Sequence, residues 1–229
     1  MNGKELREAR LRRGWTQQQA AKRLGVTQAY LSMLEQGRRA LSYRLARKAV
    51  ETLDAPATAL PLRAETLLRS VGSDRLRAEL AALGYPAFAH LRSRKRRNPA
   101  EVLDSALNES DLDTRVTEGL PWLVFRYADM DWDWLVMRAK LSDRQNRLGF
   151  VATLAVQLGA KSAKTEQFHK VNEYLAVLDR SRLAREDTLC HDSLTETERE
   201  WLRQNRTAEA AHWNLLTDMK AENLPHAQA

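Results

Sequence analysis

The sequence predicts an all-α protein, a small amino-terminal domain followed by a larger helical one, and three observations carry that expectation. Glycine (9) and proline (6) are scarce among 229 residues, so strands bounded by Gly/Pro turns have little support. Ala, Leu, Arg and Glu, all good helix formers, are abundant. Apolar residues recur at mixed spacings of three and four, without the regular turn spacing of a sheet protein. The length suits a small domain joined to a medium one. A single cysteine, Cys190, rules out an intramolecular disulfide, and no apolar run marks a signal peptide or a membrane span. A cytoplasmic protein with no membrane partner is expected.

Charge divides the chain. Residues 1–99 hold 21 of the 37 Lys+Arg and 8 of the 30 Asp+Glu, a balance of +13, whereas residues 100–229 carry −6. A basic half seeks polyanions such as nucleic acid or an anionic membrane face, and an acidic half does not.

The first elements follow from their punctuation. Residues 4–15, "KELREARLRRGW", read as one helix. Thr16 caps a second, in which Ala20, Ala21 and Leu24 form an apolar stripe before Gly25 supplies a left-handed residue. Thr27 caps a third. At about 100° per residue, Tyr30, Leu31 and Leu34 fall in one arc, and Gln28, Ala29, Ser32 and Met33 in the opposite one. The first arc suits a core. The second has no long charged side chain, so it can approach a surface closely. Gln28 carries a donor and an acceptor together, which suits an adenine edge, and Ala29 and Met33 suit thymine methyls. Gly37 then stops the helix, and Arg38 and Arg39 offer two cations where phosphates would need them. Residues 41–53, "LSYRLARKAVETL", make a fourth helix.

Residues 4–53 thereby resemble the five-helix DNA-binding domain of the Cro and cI repressor family, the XRE type. The resemblance rests on Thr16-Gln17 opening the second helix, Ala21, the Gly25 turn, Tyr30-Leu31-Ser32, and Leu34-Glu35 followed by Gly37. It implies a helix-turn-helix whose third helix enters the major groove of double-stranded DNA, with no cofactor. By that resemblance Gln17 sits at the DNA backbone; Thr27, Gln28, Ala29, Ser32 and Met33 belong to the reading helix; Arg38 and Arg39 hold phosphates. The family also implies a homodimer on a near-palindromic operator. Two residues depart from its pattern. Ala20 stands where leucine is usual, so Trp15 or another bulky neighbour is expected to fill the space, and Met33 replaces a long polar residue. Tyr30 is assigned to packing.

Residues 1–56 are thus expected to form the DNA-binding domain, 57–72 a linker containing Pro61, and 73–229 a helical domain for partner binding, sensing or assembly. Ser73 is expected to cap a helix ending at Gly84-Tyr85-Pro86. The run from Arg92 to Arg97 packs five cations into six residues and reads either as an arm along phosphates or as a solvated loop. Beyond the helix start at Asn98-Pro99, helices are expected near 100–108, 112–128, 131–142, 143–160, 164–183, 195–206 and 207–221, with a capping box at Thr195 and Glu198. Trp122, Phe125, Tyr127, Trp132, Trp134, Leu135, Leu141, Leu148 and Phe150 are assigned to a core, any surplus being a surface for a partner or for self-association.

No catalytic constellation is found. Asp129, Asp131 and Asp133 alternate as in a calcium loop, but Trp134 and Lys140 stand where glycine and glutamate would be needed, so Asp131 or Asp133 is read as a helix cap. Cys190 and His191 lack further ligands at zinc spacing. Neither a Gly-rich phosphate loop nor a hydrolase or metalloprotease motif occurs. The expected function is a sequence-specific transcription regulator, a repressor by family. The alternative is an antitoxin that autoregulates its operon and neutralises a toxin with its acidic carboxy-terminal half.

Overall fold

The computed structural model describes residues 1–62, 70–91, 93, 96–160 and 168–224. The chain divides into two compact units, Met1–Glu65 and Thr66–Ala229.

Four α-helices build the first unit: α1 Gly3–Arg12, α2 Gln17–Leu24, α3 Gln28–Glu35 and α4 Tyr43–Leu53. Each begins at a residue whose side chain accepts from the first turn, Asn2, Thr16, Thr27 and Ser42 in order. Such caps satisfy donors that a helix start otherwise leaves unpaired. The fifth helical element is a single 3₁₀ turn, Ala57–Ala59, entered through Pro56. Leu6, Ala9, Ala20, Ala21, Leu24, Leu31, Leu34, Val50 and Leu53 belong to the core, and Trp15 packs partly buried against it. This core extends past Pro56. Ala59 and Leu60, placed by the sequence in a linker, are buried in it, while most of that linker lies outside the described residues. Gly3 lies so close to the end of α3 that a β-carbon there would meet the Leu34 carbonyl oxygen at 2.1 Å.

The second unit is organised around α9, Gln145–Ala160, which packs against α7 (Thr114–Arg126), α8 (Trp132–Leu141) and α10 (His169–Asp179). Helices α5 (Ser73–Leu83) and α6 (Pro99–Leu107) flank α7. Two glycines let rings lie on α9: a β-carbon at Gly149 would stand 2.4 Å from the Trp213 ring, and one at Gly159 2.4 Å from Phe168. Asn98, Asp131 and Thr195 cap α6, α8 and α11 (Glu196–Asn205) as expected, the last with the Glu198 capping box.

Several expectations are corrected. Ser73 does not cap α5; Gly72 stands at the cap position, and the Ser73 hydroxyl accepts from the Asp113 amide at 3.1 Å. The last helix does not run to 221. It ends as α12, Ala208–His212, because Asn214 turns the backbone left-handed at φ +51°, after which Leu215–Leu216 pairs in parallel with Asp187–Thr188. The residues expected at 164–167 lie outside the described ones. Leu141 and Trp134 do not join the core: Leu141 is 73% exposed and Trp134 only half-buried, since α8 already buries Trp132, Leu135, Val136 and Ala139.

Ion pairs take up much of this unit's charge. Arg97 is no phosphate arm: its guanidinium donates to Glu79 at 3.0 Å, to Glu101 at 3.0 Å and to the Ser105 hydroxyl at 2.7 Å. Arg92, Arg94 and Lys95 lie outside the described residues. Arg147, fully buried, grips Asp187 with two bonds of 2.8 and 2.9 Å, reaches Asp192 at 3.1 Å, and donates to the carbonyls of Leu107 and Glu109.

Candidate nucleic-acid interface

The turn between α2 and α3 is set by a few local bonds. Thr16 and Gln19 exchange a capping box at the start of α2, and Gly25 ends that helix at φ +73°, a left-handed conformation glycine adopts without steric cost. Lys48 of α4 closes the free end by donating to the Leu24 carbonyl at 2.9 Å. Two residues on, the Thr27 hydroxyl accepts from the Tyr30 amide at 3.2 Å and starts α3.

The two arcs of α3 separate by burial. Leu31 and Leu34 are fully buried, and Tyr30 packs half-buried against the same core. Gln28 and Ala29 are exposed, while Ser32 and Met33 are half-buried on the outward side. No charged side chain stands among those four. Gln36, which sequence reasoning passed over, belongs beside them: its amide donates to the Ser32 hydroxyl at 3.2 Å, and the spacing of four along a helix was the available signal.

Glu35, the one acid of α3, turns inward. It accepts from Arg10 at 2.6 and 3.0 Å and from the Gln17 amide at 2.9 Å. Burial pushes its carboxyl upward, but the bonds from Arg10 and Gln17 outweigh that and hold it below the ordinary glutamate value. The hub ties the start of α2 to the end of α3, so Gln17 is brought to the flank of α3. It sits there half-exposed, with one amide N–H already engaged.

Past α3, Gly37 turns left-handed at φ +72°, with Arg38 N donating to Met33 O at 2.9 Å and Gly37 N to Leu34 O at 3.0 Å. This double closure fixes the direction in which the chain leaves the helix. Arg38 and Arg39 follow, both exposed and without an ion pair among the described residues. An uncharged helical face bordered by unengaged cations is an arrangement that admits bases and holds phosphates.

Residues 6–60 match the helix-turn-helix family model, about a quarter of the chain. The amino-terminal unit is an XRE-type helix-turn-helix domain. No curated protein and no solved structure matched. A helix-turn-helix of that type supports a DNA-binding regulator, and α2 and α3 are its two helices. No helix among the described residues is long and apolar enough to cross a membrane.

In the second unit, a recess of about 310 Å³ opens beside Cys190 and His191. The Cys190 thiol is fully buried and donates to the Ala106 carbonyl at 3.3 Å, and burial pushes its pKa up to about 11. A thiol so held is a poor nucleophile. Cys190 stands in a loop with φ +55°, not on a helix.

Proposed function

We propose that the chain is a sequence-specific repressor in which α3 reads base edges through Gln28, Ala29, Ser32 and Met33, while Gln17, Thr27, Arg38 and Arg39 fix its position on the phosphate backbone. The observation that carries this reading is the outward face of α3, free of charge because its only acid is turned into the Arg10 hub. Side chains of that kind approach a groove floor closely, and the exposed arginines past Gly37 supply the positive charge that phosphates call for.

Two copies related by a two-fold axis would address half-sites about 10–10.5 bp apart, so the operator is a near-palindrome. The second unit then serves assembly or sensing. Neutralisation of a basic toxin has less support, because Glu79, Glu101, Asp104 and Asp187 are engaged by this unit's own arginines. The test is a pair of substitutions measured by titration on operator and on random duplex. Gln28→Ala costs about 1–3 kcal/mol and relaxes preference at one base position. Arg38→Ala weakens all sequences alike. Equal losses on both duplexes for both variants refute this division of labour.

A further inference from the structure

The outward face of α8 is apolar without serving the fold. Trp134, Met137 and Leu141 recur at spacings of three and four, and Met137 and Leu141 are 50% and 73% exposed. The opposite side of the same helix, Trp132, Leu135, Val136 and Ala139, fills the core. Water therefore meets one ridge of large apolar side chains on a helix already anchored from behind, the kind of surface a monomer has no use for.

The charges beside the ridge say what covers it. Asp133 and Lys140 are seven residues apart, so both lie on one flank, at opposite ends of the ridge. Asp133 is steadied there by accepting from the Tyr174 hydroxyl at 2.7 Å, and Lys140 makes no ion pair among the described residues. The other flank is committed: Arg138 is held by Asp104 at 3.1 Å and lies over the Trp134 ring. When two identical helices pack antiparallel across a two-fold axis, equal flanks face each other and their order along the axis is inverted. Asp133 of each copy then meets Lys140 of the other, with Met137 near the axis. The opposed helix dipoles also favour this direction. We propose that α8 pairs antiparallel with α8 of a second copy of this chain, burying Trp134, Met137 and Leu141 between two Asp133–Lys140 pairs.

This rests on reading the regulator as a homodimer and locates one surface that makes it so. A single pair of short helices buries less than the roughly 800 Å² per partner of a standard interface, so the dimer should be weak, with Kd on the order of micromolar. Sedimentation of the full chain without DNA, over a series reaching about 100 µM, tests it. The wild type should pass from monomer to dimer, and Leu141→Asp, at an exposed position, should stay monomeric with unchanged circular dichroism. Asp133→Lys and Lys140→Asp, each placing like charges together, should weaken the dimer roughly threefold to tenfold. An equimolar mixture of those two variants should recover wild-type association as a heterodimer, which neither misfolding nor general destabilisation would produce. A dimer that persists in Leu141→Asp, or a mixture no tighter than its components, overturns this surface while leaving the homodimer reading intact. A chain monomeric at every concentration overturns both, and leaves base reading by α3 to be judged separately on a single half-site.

Discussion

Removing either Arg10 or Glu35 leaves the other charge buried without its partner, a loss of about 3–5 kcal/mol for a pair of this kind. Arg10→Met should therefore unfold the first unit before it touches any DNA contact, seen as lost amide-exchange protection in α1 to α3 of the full chain. The hub also sets an acid limit. Because the Glu35 carboxyl is held below its ordinary value in the fold, its contribution is complete above the unfolded value and vanishes as pH falls through the folded one. Protection of these helices should thus drop in acid, and Glu35→Gln, weaker at neutral pH, should lose that part of the pH dependence. Caps at Thr16 and Thr27 and the turns at Gly25 and Gly37 were legible in the sequence because their partners lie within a few residues. The hub was not, because Arg10 and Glu35 are 25 residues apart and only the packing of α1 on α3 brings them together.

Elements α1 to α4 follow their caps closely, whereas the carboxy-terminal segment departs from its helical pattern. A run such as 207–221 has helical periodicity, but Asn214 adopts a left-handed conformation and the pairing of Leu215–Leu216 with Asp187–Thr188 satisfies the backbone instead. Such pairing across nearly thirty residues leaves no local trace. The same limit applies to Leu141, whose apolar character fits a core and whose exposure depends on which side of α8 meets α9. Gly149 offers a test at this scale. Helix propensity alone favours Gly149→Ala by about 1 kcal/mol, but the added β-carbon would run into the Trp213 ring. Overpacking of that sort costs about 1–3 kcal/mol, so the variant should be destabilised, with an earlier midpoint in denaturant. A later midpoint would mean that Trp213 does not rest on α9.

For the whole molecule, the charge imbalance is translated unevenly. The basic half was expected to present its cations to a polyanion, and Arg38 and Arg39 remain available for that, while Arg10 and Arg97 are consumed by carboxylates within their own units. Net charge named the class of partner without saying which cations would touch it. Salt dependence separates the two groups. Affinity for duplex DNA should fall with a log–log slope of about −0.9 per neutralised phosphate, and the double variant Arg38→Ala, Arg39→Ala should flatten that slope by about two contacts. An unchanged slope would assign the phosphates to other arginines.

Arg147 has a consequence for how the second unit comes apart. All five of its N–H donors end on acceptors from the end of α6, the following turn, and the stretch from Asp187 to Asp192. Peeling that stretch away would take both carboxylates from a buried guanidinium and leave it only the Leu107 and Glu109 carbonyls, a costly state for a charge. The terminal arm therefore has no cheap first step of fraying: it stays docked or leaves in one cooperative event, carrying its two-residue strand pairing with it.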